Sequence, residues 1–418
     1  MLKSKISLMV LLCCLFTPTF VAAGGIGLVT NGNDDGKGSL RHALEKGKST
    51  IIIHRSVNEI AISSPLTWSH RQALKIIGSG QIISGDNGSE PLLEITNGAD
   101  LSIKSLEFVG PGGYSILTQG GGKGIFVNVP ANRRGMINVS LNDVTVRNTG
   151  NHGVHISDCS IGDDCGGGQS GGGEGSDASI TVWLNKVTID GAGFGKQDAD
   201  GIRVDDRGPG DINLFASNIT MVNVGGDGIE LDEGNEGNVV VWMTKAFFQE
   251  NGAYCSDDFV DDPIAIDPKC DDDGDPDVDD AFDIDEAGPG GIWGIINKAD
   301  LIANFDEGLD FDTEGEGDDN FVDLTLINIF GVDNADEAIK VSEEGNASVF
   351  VNMVNIDIAG DVEVEEEDAG DLHVSIFSSF IGDDLKLSET GDGDGTVKLR
   401  NTTVVDDKDY GGDGITEL

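Results

Sequence analysis

Positive charge is scarce in this sequence: 26 Lys and Arg stand against 75 Asp and Glu, a formal balance of −49 over 418 residues. A chain so acidic repels phosphate backbones, which excludes nucleic acid as a partner. Aromatic residues make up only 6% and proline occurs 10 times, whereas glycine occurs 61 times. Glycine inside a helix costs about 1 kcal/mol per position relative to alanine, so this composition argues against a helix-based enzyme and for turn-rich β structure. After the first 23 residues no apolar run is long enough to span a bilayer, which argues against membrane insertion. With 38% hydrophobic residues the chain still carries enough apolar material for a core, so it is not a disordered acidic tail.

The first residues join a basic start (Lys3, Lys5) to an apolar run from Ile6 to Phe20 and the small residues Val21-Ala22-Ala23. That reads as a cleaved secretory signal over residues 1–23, with an extracellular or periplasmic destination. Cys13 and Cys14 leave with it. The remaining cysteines form two local pairs, Cys159 with Cys165 and Cys255 with Cys270, both expected as disulfides in an oxidising compartment. Residues 24–190 hold 16 acids against 13 bases, but residues 191–418 hold 59 against 11. The charge is therefore concentrated in the second part.

One short pattern recurs: Gly153-Val-His155-Ile, Gly201-Ile-Arg203-Val, Gly228-Ile-Glu230-Leu, Gly308-Leu-Asp310-Phe and Ala338-Ile-Lys340-Val, with weaker copies at Phe282, Val362 and Leu385. Steps between the apolar anchors are 23–30 residues except where insertions intervene. Each unit holds a second alternating run, such as Ile180-Thr-Val182 or Val397-Lys-Leu399. Alternation of period 2, with Gly, Asn and Asp between runs, means short strands and tight turns. Units of this length bury their inward residues only by stacking on one another. The expected fold is all-β: a single-stranded, right-handed parallel β-helix of roughly a dozen coils. A β-sandwich would want two-residue hairpin turns, and these are not evident. The expected organisation is an N-terminal cap and first coils over 24–110, then a β-helix over 111–418 with insertions at 158–178 and 253–280.

The segment Gly38-Ser39-Leu40-Arg41-His-Ala-Leu44, followed by Ile51-Ile-Ile53 and Ile76-Ile-Gly78, resembles the N-terminal capping region of the pectate-lyase-like β-helix superfamily. The resemblance implies a short helix, capped by Ser39, that closes the open end of the solenoid. It also implies polysaccharide as the substrate class. The lyase motifs themselves are mostly missing: Thr244 and Lys245 stand where a lyase has Asp-His, and no arginine occurs between Arg207 and Arg400. Asp198-Ala-Asp200-Gly-Ile202 and Gly226-Asp227-Gly-Ile229 are similar to the carboxylate strands of polygalacturonases, which implies paired acids for glycoside hydrolysis. A further segment, Cys270-Asp-Asp-Asp-Gly-Asp-Pro-Asp-Val-Asp279, resembles the calcium loops of thrombospondin type 3 repeats. Alternate acids at Asp271, Asp273, Asp275, Asp277 and Asp279 could fold around one Ca2+ ion, and a Cys255–Cys270 disulfide would hold the loop.

In a parallel β-helix, equivalent positions stack about 4.8 Å apart, so the repeat alignment maps the surface. The outward column reads His155, Arg203, Glu230, Asp283, Asp310, Lys340, Glu363, Lys386; two positions before the anchor stand His152, Asp200, Asp227, Asp280, Glu307 and Glu337. A third, acidic column holds Asp205, Asp232, Asp285 and Asp312. Stacked like charges repel by roughly 1 kcal/mol per pair even at the dielectric of water, so cations are expected among them. The Asp residues before Gly also read as turn chemistry, each carboxylate bonding nearby backbone. A catalytic centre, if present, belongs where the neutral part meets the acidic part, at His155, Arg203, Glu230, Asp200 and Asp227. The same row also reads as a charge-compensated ladder bridged by Arg203. These patterns point to a calcium-binding, monomeric protein engaging polysaccharide or a cell-surface glycan. The alternatives are a calcium-dependent lyase, a glycoside hydrolase, or an adhesin without turnover.

Overall fold

Because alternation sends every second residue inward, the apolar anchors of successive units can stack only if the units lie parallel and in register. A computed structural model, describing residues 24–85, 90–111, 122–159, 175–193, 199–255, 278–313, 321–412 and 414–418, shows this arrangement. Its strands form sheets of 18, nine and three members. Ile202 pairs with Ile229, and Ile229 with Phe282, all parallel; a bridge from Ile339 to Val362 and the pairing of Val362 with Leu385 carry the same register onward. The fold is a parallel β-helix, as the repeat predicts. No helix among the described residues is long and apolar enough to cross a membrane.

The anchor run and the second alternating run remain separate strands, and in the middle coils the second run extends into one long strand. Asp177–Asp190 and Ile212–Val222 are continuous strands of 14 and 11 residues. Each bends at one left-handed residue: Lys186, Asn218, Lys245, Lys298 and Asn328 have φ between 54° and 67°. The ladder skips that residue, pairing Asn185 with Ser217 and then Val187 with Ile219. A single αL residue thus turns the strand round a corner of the coil, a conformation that asparagine tolerates better than lysine.

Inside, Phe248, Phe282 and Phe311 stack with ring centroids 6.3 and 5.9 Å apart. Asn251 Nδ2 donates to Asn304 Oδ1 at 2.9 Å, and Asn304 Nδ2 to Asn334 Oδ1 at 2.8 Å. This amide ladder gives the buried Asn251 and Asn304 amide groups partners inside the coil. At the N-terminal end the helix Leu40–Glu45 lies over the first coil, with Ser39 Oγ accepting from the His42 amide at 3.2 Å. Leu40 and Leu44 are buried beneath it, each contributing about 1.5–3 kcal/mol.

In six strands of the two smaller sheets, one inward position near the strand's C-terminal end departs from alternation. Period 2 calls for an apolar residue there, but the chain carries Asp206, Glu233, Glu286, Glu343, Glu366 and Glu389, all at most 1% exposed. Their carboxyls accept the amides of the following corner: Gly208 to Asp206 at 3.2 Å, Gly288 to Glu286 at 3.1 Å, Gly345 to Glu343 at 2.9 Å, Gly370 to Glu366 at 2.6 Å. Burial pushes these acids up, Asp206 to about 9, Glu286 to about 8, Glu343 and Glu366 to about 7. Asp206 and Glu286 therefore cap their corners as protonated acids at neutral pH, and Glu343 and Glu366 change state near it.

Candidate functional site

The outward face of the nine-stranded sheet brings all five candidate catalytic residues together. His155 on strand Val154–Ser157 pairs with Arg203 on Ile202–Asp206, which pairs with Glu230 on Ile229–Glu233. Asp200 and Asp227 precede the second and third of these strands, and all five side chains are buried. The Asp-Gly-Ile pattern has a steric cause. A Cβ on Gly201 would meet the carbonyl of Gly228 at 2.4 Å, and one on Gly228 would meet that of Ala281 at 2.3 Å. Glycine lets the coils close, and the aspartate before it reaches across.

That reach corrects the expectation of local turn chemistry. Asp200 Oδ1 accepts the amide of Asp227 at 3.0 Å, Asp227 Oδ1 that of Asp280 at 2.6 Å, and Asp280 Oδ1 that of Glu307 at 2.8 Å. Each carboxylate bonds the equivalent amide one coil further on, so the column staples coils together.

Arg203 is the hub. Its Nε donates to Asp205 Oδ1 at 2.6 Å, Nη2 to Asp232 Oδ2 at 2.9 Å, Nη1 to Asp200 Oδ2 at 3.4 Å, and Nη1 also to Glu230. Arg207 donates to Asp232 as well. His155 Nε2 lies 2.5 Å from Asp205 Oδ2, and its Nδ1 lies 2.5 Å from Lys123 Nζ. The ammonium can only donate, which assigns the imidazole proton to Nε2. Burial, then the Lys123 charge, takes His155 down to about 3, so the ring is neutral. Burial likewise lowers Lys123 to about 8, with Asp205 opposing.

The carboxylates separate into two states. Burial opposes ionisation of Asp200, but His152 and Arg203 outweigh it and hold the group below the usual range. Asp205 behaves the same way, held down by the Arg203 charge and by the hydrogen bond from His155. Burial and the charges of Asp200, Asp227 and Asp232 push Glu230 well above its ordinary value despite Arg203. Glu230 also hydrogen-bonds Asp200, so a neutral acid faces an ionised one. Asp280, Asp283 and Asp310 are raised too, by burial and then by one another or by Asp285, Asp312 and Glu307.

Among the described residues, Asp200, Asp227 and Glu230 bring carboxylate oxygens within 4.8 Å of one another, as do Glu230, Asp283 and Asp285, then Asp280, Glu307 and Asp310, and finally Asp361, Asp383 and Asp384. Such groups could hold a metal ion. Of the expected calcium loop only Asp279 is described, half-buried against Gly252; Asp271, Asp273, Asp275 and Asp277 lie outside the described residues. Cys159 and Cys255 are buried, and Cys165 and Cys270 also lie outside.

Sequence reasoning missed Lys123, Arg207 and the contributions of Asp205 and Asp232. Gly124-Ile125-Phe126-Val127 repeats the anchor pattern, and Phe126 pairs with His155; that copy would have placed Lys123 beside the row. Arg207 follows the strand, where the repeat has no fixed partner.

The fold and face together define a parallel β-helix protein with a carboxylate-lined, arginine-centred row. No protein-family model and no curated protein sequence matches the chain. Among solved structures it is similar to the GH136 lacto-N-biosidase from Eubacterium ramulus in selenomethionine form, at 11% identity and a TM-score of 0.44, over 94% of this chain and 68% of that one. It is also similar to the catalytic domain of a GH87 alpha-1,3-glucanase in complex with nigerose, at 11% identity and a TM-score of 0.38, over 96% and 70%.

Proposed function

We propose that this is an exported β-helix protein that engages a polysaccharide along the outward face of the nine-stranded sheet, with calcium as its ion. The observation that carries the reading is the convergence of His155, Arg203, Glu230, Asp200 and Asp227 on consecutive coils. Asp227 and Glu230, the carboxyls of this set that reach the surface, stand on adjacent coils about 4.8 Å apart, a spacing suited to the hydroxyls of a glycan chain. Arg203, saturated by its four carboxylates, organises the row rather than reaching a ligand. Calcium at Asp271, Asp273, Asp275, Asp277 and Asp279, and the Cys159–Cys165 and Cys255–Cys270 disulfides, belong to the same reading.

Hydrolysis is the second reading, favoured by the Asp200–Glu230 pair. A protonated Glu230 would donate to the glycosidic oxygen while ionised Asp200 acts as nucleophile or base. The two carboxyls are in direct hydrogen-bond contact, closer than the roughly 5 Å of a retaining pair, so a sugar entering between them must part them. The test is to pass the purified protein over immobilised neutral and acidic glycans, with and without calcium, while following reducing ends and unsaturated uronides. Calcium-dependent retention, weakened at least tenfold in Asp227→Ala, is expected. Release of reducing ends, abolished in Glu230→Gln, would establish hydrolysis instead. A folded protein that neither binds nor cleaves any of the glycans would defeat both readings.

A further inference from the structure

We propose that Glu230, Asp283 and Asp285, joined by Oδ1 of Asp232, form a binding site for one hard divalent cation of the calcium type, distinct from the loop at 271–279. These residues occupy two neighbouring strands. Glu230 pairs with Asp283 and Asp232 with Asp285, so four outward carboxylates stand at the corners of one patch. Oxygens of Glu230, Asp283 and Asp285 already lie within 4.8 Å of each other.

The independent sign of a ligand is Asp232. The residue is fully buried; its Oδ2 takes Arg203 and Arg207, while Oδ1, also inaccessible to water, has no hydrogen-bond partner. An orphaned buried carboxylate oxygen costs about 1–3 kcal/mol or more, and its residue is the register partner of Asp285, whose charge it feels. One coil on, Asp312, which pairs with Asp285, has a second buried and unpartnered oxygen. Asp283 and Asp285 receive no hydrogen bond from any described residue.

Cations of the chain do not fill this gap. Arg203 touches one side of the patch, at Glu230 and Asp232 Oδ2, and is shared with Asp200 and Asp205, while on the far side Lys340 is taken by Glu307 at 3.1 Å and Asp310 at 3.2 Å; neither cation pairs with Asp283 or Asp285. The coil carrying Asp283 and Asp285 lies between these two poles. An all-oxygen, all-carboxylate donor set selects a hard ion over zinc or copper. Protons are the rival occupant, and the experiment separates the two.

Calcium binding to the purified full chain would be measured by calorimetry, and terbium luminescence would report the same sites with terbium alone as probe. Asp283→Asn with Asp285→Asn should remove one ion from the stoichiometry and abolish its share of the calcium-induced rise in thermal midpoint. Asp273→Asn with Asp275→Asn should leave that ion in place. Should the double variant fail to fold, Asp283→Asn alone should weaken the ion's affinity at least tenfold. An unchanged ion count and affinity in Asp283→Asn, with calcium shifting its midpoint as it does the wild type's, would overturn the site and assign the row to protons. No glycan enters this measurement, so its outcome is independent of the polysaccharide reading.

Discussion

Replacing Arg203 by methionine keeps the length and apolar stem of the side chain and deletes the charge around which the site is organised. Four carboxylates lose a partner: Asp200, Asp205, Glu230 and Asp232. The loss is not total, since His152 still faces Asp200 at 3.1 Å, His155 still faces Asp205, and Arg207 still holds Asp232. Removing one partner of a buried ion pair costs about 3–5 kcal/mol, and with these residual partners that range is the expected loss at pH 7. The pH dependence is more diagnostic. Asp200 and Asp205 have folded values depressed below the unfolded one. Their contribution is therefore full above about pH 4 and is lost as pH falls through the folded values. The variant lacks most of that depression, so its deficit should be largest at neutral pH and shrink below pH 4. Urea unfolding of both proteins from pH 3 to pH 8 reads this directly. A deficit under about 1 kcal/mol at pH 7, or one of equal size at pH 3, would refute the hub.

Glu343→Gln tests the protonated corners. Burial raises Glu343 from 4.5 to about 7 in the fold, so the wild type is favoured below the unfolded value and loses stability as pH rises towards 7. The variant should gain on the wild type by on the order of 2 kcal/mol between pH 4 and pH 8, read from urea midpoints; parallel profiles would discard protonation. Asn304→Ala interrupts the interior amide ladder: the Asn251 backbone amide loses its acceptor, and Asn334 Oδ1 keeps only the backbone amide of residue 304. A loss of about 2–4 kcal/mol is expected in the same assay, and a neutral result would mean the ladder is not structural.

The fold is legible in the sequence because a parallel β-helix has one dominant constraint, the in-register stacking of inward residues, and Ile202, Ile229 and Phe282 display it at nearly constant spacing. The same constraint made the row legible: once the anchors align, His155, Arg203 and Glu230 are neighbours whatever their chemistry. What stayed hidden breaks the repeat or depends on reach. Glu233 and Glu343 sit at inward positions where alternation predicts an apolar side chain, and only the corner amides explain them. Asp200 and Asp227 are short enough to cap their own turns, and the choice of the next coil's amide follows from coil spacing. Lys123 contacts His155 from the preceding coil, and the repeat copy that places it, Gly124-Ile125-Phe126-Val127, carries an uncharged residue at the outward position and so is easily passed over.

The coils follow one another in chain order, so the uneven distribution of acids is laid out along the axis of the stack. Residues 191–418 alone carry 11 bases against 59 acids, a formal −48, whereas the earlier coils are nearly neutral. The molecule is consequently a strong permanent electric dipole. Near a negatively charged surface it will turn its helix-capped end inward and stand upright, with the acidic coils held away and exposed along their length. At low salt this alignment persists over tens of ångströms, and it collapses as the screening length contracts.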